Sequence, residues 1–474
     1  MLTGKILKLY GWPEGKIIGL AKTAGNTLEA QGLDQEAVLA HLEAVREKPG
    51  EYLGDALMGG LARECIRRAS ASLAPVQDEL RAHPADYAVW GADQIAHEAR
   101  SQMENALRLP VAVAGALMPD AFVGYGLPIG GVLATSDAVI PYAVGVDIAC
   151  RMRLSVYAVS PHVLGQRKND FKRSLVEQTR FGMGAEFARA ERPMHAVLDD
   201  PAWTATRFLK SLQMKAQQHL GTSGTGNHFV EWGIFRLYAD DAQLGLAAGE
   251  YLALLSHSGS RGVGFKIANH YSEVAMELHP TLDKSVRHLS WLPLGSEPGE
   301  EYWISMELAG RFASANHEVI HHRVQRAVGL REVAVIENHH NFAYREKLPD
   351  GTDAIVHRKG ATPAGAGVLG VIPGSMGDAG YVVRGKGASE ALNSASHGAG
   401  RKMSRRAALG SIAKAERDTY LRERGITLLG GGLDESPQAY KDIEAVIAAQ
   451  DELVEIIGKF TPRIVRMANE AGKF

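Results

Sequence analysis

Only two cysteines, Cys65 and Cys150, occur in 474 residues. They are too few for a disulfide framework, and a reducing cytoplasm is the expected setting. Long apolar runs are missing too. The most apolar stretch, residues 111–135, is broken by Pro119, Asp120 and several glycines and is too interrupted to span a bilayer. Near the N-terminus, Lys5 and Lys8 stand where a secretory leader needs unbroken apolar sequence. Net charge is only −2, so no global field draws the chain onto a polyanion, and binding of nucleic acid would need local basic patches. There is no internal repeat and no low-complexity tail. What remains, 45% apolar and 22% charged residues, is an ordinary globular composition with enough apolar mass for a sizeable core. The length allows roughly two to four domains.

The first ninety or so residues differ from the rest. Short apolar runs near Ile6 and Ile17 predict strands. Val38, Leu39, Leu42 and Val45 have helical spacing within residues 34–48, and Pro49 and Gly50 end the pattern. Residues 74–87 are polar, contain Pro75 and Pro84, and read as a linker; a charged helical stretch covers 92–107. Over residues 110–410, short β-branched runs alternate with glycine-rich loops that hold most of the histidines. Helices are predicted over 203–220, 302–329 and 402–424, and a last one over 436–459. The reading is an α+β catalytic body of mixed sheets flanked by helices, residues 91–474, behind an N-terminal extension, residues 1–90, without an assignable role.

Three short patterns are ambiguous. Gly365-Ala-Gly367-Val-Leu-Gly370 matches a dinucleotide fingerprint, but Pro373 and Gly374 leave no room for the helix that must follow, so a turn is expected. Gly380-Tyr-Val-Val-Arg-Gly385-Lys386-Gly387 lacks the hydroxyl of a P-loop. His317-Glu318-Val-Ile-His321 on a helix would place two imidazoles on one face with a glutamate as base, the pattern of a zinc hydrolase. No third ligand stands at a convincing spacing, and a solvated helix face is the favoured reading.

A stronger constellation recurs in one kind of context: metal-competent side chains in Gly- or Asn-rich turns after apolar runs. These are Gly145-Val-Asp147-Ile-Ala-Cys150, Gly224-Thr-Gly226-Asn227-His228-Phe-Val-Glu231, Leu254-Leu-Ser-His257-Ser-Gly-Ser-Arg261 and Val333-Ala-Val-Ile-Glu337-Asn-His339-His340-Asn341. Each alone has a structural explanation: Cys150 as a buried small hydrophobe, any one histidine as a satisfied core residue, Asp147 as a turn former. Together, loops at strand ends let them converge. One carboxylate, one thiolate and three imidazoles suffice for two metals if one ligand bridges, and the donor types themselves suit zinc or iron. A second set suits phosphate: basic Val356-His-Arg358-Lys359-Gly360; the loop Pro373, Gly374, Ser375, Met376, Gly377; and His397 in the turn Gly398, Ala399, Gly400, followed by Arg401, Lys402, Arg405 and Arg406. Loop amides and helix N-termini favour anions, and a histidine held among them can attack phosphorus.

These blocks, with Met118-Pro-Asp-Ala and Gly124-Tyr-Gly-Leu-Pro-Ile-Gly-Gly131, closely resemble the RtcB family of RNA-splicing ligases, from about Ile95 to the C-terminus. The resemblance implies that Asp147, Cys150, His228, His257 and His340 bind two Mn²⁺ ions, with the cysteine bridging. It implies that His397 takes GMP from GTP, that Asn227 lies near the nucleotide phosphates, that Glu231 contacts guanine and that Tyr440 packs near the base. A lysine near the C-terminus usually completes that pocket, and Lys473 is the candidate. The partners implied are RNA ends, a 3′-phosphate or 2′,3′-cyclic phosphate and a 5′-hydroxyl, with no membrane involved. Arg151 beside the cysteine, and Asp378 in the phosphate loop, depart from the family pattern and bear on phosphate binding. The rivals are a zinc hydrolase built on His317, Glu318 and His321, and a diverged paralogue that binds RNA ends or opens cyclic phosphates without sealing.

Overall fold

The computed structural model describes residues 2–13, 15–71 and 78–469. The chain begins with helices, Gly4–Leu9, Lys16–Ala30, Gln35–Glu47 and Gly59–Ala71. The strands expected at Ile6 and Ile17 are therefore absent. Thr3 caps the first helix by accepting from the Ile6 amide, and Ile17, Ala21, Ala24 and Leu28 bury one side of the second. Their spacing of four, three and four is helical, which the short runs around Ile6 and Ile17 were too brief to reveal. Asp34 caps the third helix at the Ala37 amide, and Val38, Leu42 and Val45 are buried on it. This helical group shares one core with Tyr302, Trp303 and Met306 of the helix Glu297–Val328.

Two sheets form the body. The first runs Tyr87–Val89, Ala112–Phe122, Ile129–Thr135, Asp353–Lys359, Asn341–Lys347. The helix His97–Leu107 covers one face through Met103 and Leu107. The second runs Leu369–Ile372, Gly380–Gly385, Val454–Met467, Phe229–Leu237, Gly249–Ser258, Arg151–Tyr157, Ala334–His339, with Thr427–Leu429 pairing alongside. Its two ends meet. The Asn338 side chain accepts from the Val371 amide at 2.8 Å and donates to the Val371 carbonyl at 3.3 Å, so an amide side chain spans the seam. Ile336 and Val371 from the two edge strands enter one interior core with Leu154, Phe235, Leu255 and Phe460. The two edge strands share no backbone ladder, and the Asn338 amide instead serves the backbone groups of Val371.

The helix predicted over 302–329 is Glu297–Val328, capped by Ser296 and ended by Gly329 at φ 73°. That over 203–220 is Arg207–His219, and 402–424 splits into Arg405–Ser411 and Lys414–Glu423. Residues 436–459 hold only one short α-helix, Ile443–Ala448, after the single 3-10 turn Pro437–Ala439; Val454–Met467 is instead a long strand between Gly380–Gly385 and Phe229–Leu237. Its pairing partners lie far away in sequence, out of reach of local spacing. Neither glycine pattern opens a helix: one runs into the strand Leu369–Ile372 and the other is the strand Gly380–Gly385. Residues 74–77 of the expected linker and Lys473 lie outside the described residues. From Asp78 onward the segment is anchored, with His279 donating to the Asp78 carboxylate at 2.6 Å. Among the described residues, no helix is long and apolar enough to cross a membrane.

Candidate active site

At one end of the closed sheet, four neighbouring strands deliver donors to one point. His257 lies within Gly249–Ser258, directly opposite both Phe229 and Met152. His228 immediately precedes Phe229, and Cys150 ends the turn before Arg151–Tyr157. His340 follows Ala334–His339, and its amide donates to the Cys150 carbonyl. Asp147 sits in the turn opened by Gly145 at φ 95°, a left-handed position that suits glycine.

The resulting distances are short. Cys150 Sγ lies 3.3 Å from His228 Nε2 and 3.1 Å from His257 Nε2. His257 Nε2 lies 3.2 Å from His340 Nε2, and His228 Nε2 lies 3.0 Å from Asp147 Oδ2. Two of the rings are oriented from behind: His228 Nδ1 donates to the Ser223 carbonyl at 2.9 Å and His257 Nδ1 to the Asn227 carbonyl at 3.1 Å. A carbonyl only accepts, so the hydrogens sit on Nδ1, at His228 against the competing approach of the Arg261 guanidinium at 3.1 Å, and the Nε2 lone pairs face the cluster. Lone pairs aimed at one another repel unless a cation lies among them. The His340 Nδ1 is buried with no hydrogen-bond partner. Burial and the nearby Asp147 push the Cys150 thiol up, and burial holds His257 down to about 3. A neutral imidazole is already ligand-ready, and a bound cation would supply the charge that ionises the thiol. The donor set fits metal, in two overlapping groups that share Cys150: Cys150, His257, His340 and Asp147, Cys150, His228.

His397 stands beside this cluster, its ring centroid 5.0 Å from that of His340. Its Nδ1 donates to Asp120 Oδ2 at 2.6 Å, and the same oxygen accepts the amides of His397 at 3.1 Å and Gly398 at 3.3 Å. Asp120 is fully buried, and Lys441 donates to the carbonyls of Pro119 and Ala121 on either side of it. With its Nδ1 committed to Asp120, His397 keeps Nε2 as its uncommitted ring nitrogen.

All six residues line one cavity of about 710 Å³. Asn227, Pro373, Gly374, Ser375, Met376, Gly398, Ala399, Gly400 and Tyr440 line it as well. Gly377 lies behind, its amide donating to Ser375 Oγ, while the Ser375 hydroxyl donates to Asp378. Glu231 does not line the cavity. It shares the interior face of its strand with Phe229 and Phe235, opposite Leu255 and Val465, and burial pushes its carboxyl well above the usual range. Arg151 is turned away from the metal cluster and pairs with Glu337, so it offers nothing to a phosphate there.

Sequence reasoning gave no role to Asp120 or Glu435, and it read Lys359, Arg401 and Arg405 only as members of a basic set suited to phosphate. Asp120 was visible within Met118-Pro-Asp-Ala, but its partner is 277 residues away. Lys359, lowered to about 7 by burial, donates to the Tyr125 carbonyl. Glu435 holds Arg401, Arg405 and the Tyr440 hydroxyl together on one wall. No local pattern announces these three-body contacts.

The His317-Glu318-His321 motif does not form a metal site. Glu318 points to solvent, with 60% of its side chain exposed, and approaches His195. The solvated-face reading fails too: His317 is 0% and His321 1% exposed, and both bond serines of the closed sheet.

A sequence profile described as "tRNA-splicing ligase RtcB" matches residues 102–468. The chain is 33% identical over 388 residues to the RNA-splicing ligase RtcB1 of Escherichia coli strain ATCC 25922, covering 76% of this chain and 91% of that protein. The RNA-splicing ligase RtcB of Escherichia coli K12 gives the same figures. The tRNA-splicing ligase RtcB of Nanoarchaeum equitans is 32% identical over 434 residues, covering 76% of this chain and 90% of that protein. With residues 2–71 lying outside the matched region and the cavity inside it, this chain belongs to the RtcB family of RNA-splicing ligases.

Proposed function

We propose that this enzyme is a GTP- and Mn²⁺-dependent RNA ligase that joins a 3′-phosphate or 2′,3′-cyclic phosphate end to a 5′-hydroxyl end through a histidine–GMP intermediate. The observation that carries this reading is the pairing of His397 with Asp120 at the edge of a five-donor cluster. In the first step His397 Nε2 attacks the α-phosphorus of GTP and pyrophosphate leaves. GMP then passes to the RNA 3′-phosphate, and the 5′-hydroxyl attacks that activated phosphate and releases GMP. A cyclic end is first opened by water.

Asp120 keeps the hydrogen of His397 on Nδ1 and offsets the positive charge that the ring gains on forming its P–N bond. Arg401 and Arg405 stand on the cavity wall where polyphosphate charge would lie. Asp147, Cys150, His228, His257 and His340 would hold the metal pair, which when bound neutralises phosphate charge and orients the reacting oxygens. In this reading Asn227, the loop 373–377 and Gly398–Gly400 receive the phosphates. Glu231, on the same strand face as the cavity-lining Phe229 but deeper, and Tyr440 contact the base with help from Lys473, residues 1–90 are an extension to the catalytic unit 91–474, and the enzyme works in the cytoplasm.

The test is ligation of two RNA strands, one ending in a 3′-phosphate and the other starting with a 5′-hydroxyl, with GTP and Mn²⁺. Joining that requires both cofactors supports the reading. Opening of a cyclic end without joining would favour the diverged paralogue.

A further inference from the structure

The histidines of the 317–321 motif take no part in the reaction above, yet they belong to a continuous buried network. The helix Glu297–Val328 presents Ser314, His317, His321 and Gln325 on one face, since steps of three, four and four residues stay in line. Each meets the outer surface of the closed sheet. Ser314 donates to Glu337 at 2.8 Å, and Gln325 accepts from the Tyr157 hydroxyl at 2.9 Å. Between them, Ser256 Oγ lies 2.7 Å from His317 Nδ1 and 2.8 Å from His321 Nε2. His317 Nε2 lies 3.1 Å from the Ser258 carbonyl, and His321 Nδ1 lies 2.8 Å from Ser155 Oγ.

Donors and acceptors fit together in one order. The Ser258 carbonyl can only accept, so His317 carries its hydrogen on Nε2 and accepts from Ser256 at Nδ1. The Ser256 oxygen then accepts from His321 Nε2, and His321 Nδ1 accepts from Ser155. Every ring nitrogen is used and both imidazoles are neutral, in keeping with burial that holds both well below the ordinary histidine range.

The segments gripped this way are those that aim two metal donors. Ser256 and Ser258 flank His257, whose side chain leaves the opposite face of the same strand. Asn316, also fully buried, accepts the Gly221 amide at 2.7 Å and donates to the Thr222 carbonyl at 2.9 Å and to Ser258 Oγ at 3.3 Å. That fixes the turn whose Ser223 carbonyl orients His228, and Ser258 donates to the same carbonyl at 3.0 Å. We infer that Asn316, His317 and His321 are positioning residues for the metal centre: they hold the strand and turn that aim His257 and His228, and so set metal affinity without touching the metal. The inference rests on the metal reading proposed above.

Groups hydrogen-bonded to a metal ligand typically change affinity about tenfold to a hundredfold when lost, and Asn316 and His317 act one contact further out, so the low end is expected. The experiment compares Mn²⁺ dissociation constants, by calorimetry, for the full chain and for His317→Leu, His317→Gln and Asn316→Asp, with melting curves taken in chelator. His317→Leu should weaken Mn²⁺ about tenfold or more while the chelated protein still melts as one folded species. His317→Gln, which can donate and accept, should recover most of the affinity. Asn316→Asp, which keeps the bond from Gly221 and loses both donated ones, should weaken binding in the same direction, and it reports even if His317→Leu does not fold. Wild-type affinity in folded His317→Leu or Asn316→Asp overturns the inference. So does a loss in His317→Leu that the glutamine variant fails to restore. A separate arm reads the rings by ¹⁵N NMR: Nε2–H forms at both positions support the network, and an Nδ1–H form at either contradicts it. A wild type that binds no divalent cation yet shows the Nε2–H rings would overturn the metal reading itself, and the inference with it.

Discussion

Two groups of buried histidines lie on opposite sides of the strand Gly249–Ser258, and they differ in one respect. On the helix side, both nitrogens of His317 and of His321 find protein partners. On the cavity side, His228 and His257 each spend Nδ1 on a carbonyl and turn Nε2 toward other donors, while the Nδ1 of His340 has no partner. Burial alone does not separate a site from a support, since both groups are buried to a similar degree. The separating quantity is unspent hydrogen-bonding and coordinating capacity. An interior that leaves several lone pairs facing one another carries a cost unless a ligand completes it.

The largest expected break in this contrast is Cys150→Ser. A serine hydroxyl is far less acidic than a thiol, so the donor common to both candidate metal groups is lost. Metal content measured by elemental analysis should fall, and nucleotide transfer should vanish with it; full Mn²⁺-dependent activity would reduce Cys150 to a packing residue. Next comes Asp120→Asn, which keeps the shape but removes the charge that fixes the His397 tautomer. Adduct formation should slow by about 10²–10⁴-fold, with Mn²⁺ affinity unchanged. An unaltered single-turnover rate would mean that Asp120 only supports the loop.

A smaller effect concerns the base. If the buried Glu231 carboxyl pairs with the donor edge of guanine, GTP should be preferred to ATP by roughly tenfold to a hundredfold, because adenine would leave that group unpaired. Glu231→Gln should erode the preference, and Lys473→Ala should matter less. Equal use of both nucleotides by the wild type would remove the guanine assignment. The smallest effect is expected at Glu318→Gln. The side chain is exposed on the far face of the helix, so ligation rates should stay within a few-fold of wild type. A collapse there would reopen the zinc-hydrolase reading.

What the sequence disclosed follows the same division. The segments carrying Asp147, Cys150, His228, His257 and His340 were legible because each pairs a metal-competent side chain with local backbone chemistry, although His257 lies inside the strand Gly249–Ser258 and not in the expected turn. The α+β body was legible from alternating short apolar runs and glycine-rich loops. The strand Val454–Met467 was not, because its place in the sheet is decided by partners more than two hundred residues away at Phe229–Leu237. The helices at Ile6 and Ile17 were missed because two or three apolar residues fit either period. Arg151 looked available to phosphate because it adjoins Cys150, yet successive residues of a strand face opposite ways and Glu337 claims it. The 317–321 motif fits a zinc pattern at i and i+4, and the same spacing serves a helix that must bond to the outside of a closed sheet.

The proposed reaction stands on His397 as the nucleophile, served by the neighbouring donors. Its most direct measurement is incubation of the wild type and of His397→Ala with GTP radiolabelled at the α-phosphate, with Mn²⁺ present or chelated, followed by denaturing electrophoresis. The wild type should carry a covalent label that needs Mn²⁺ and that is absent from a folded, metal-binding His397→Ala. An equal label on His397→Ala, or none on metal-loaded wild type, would contradict that reaction.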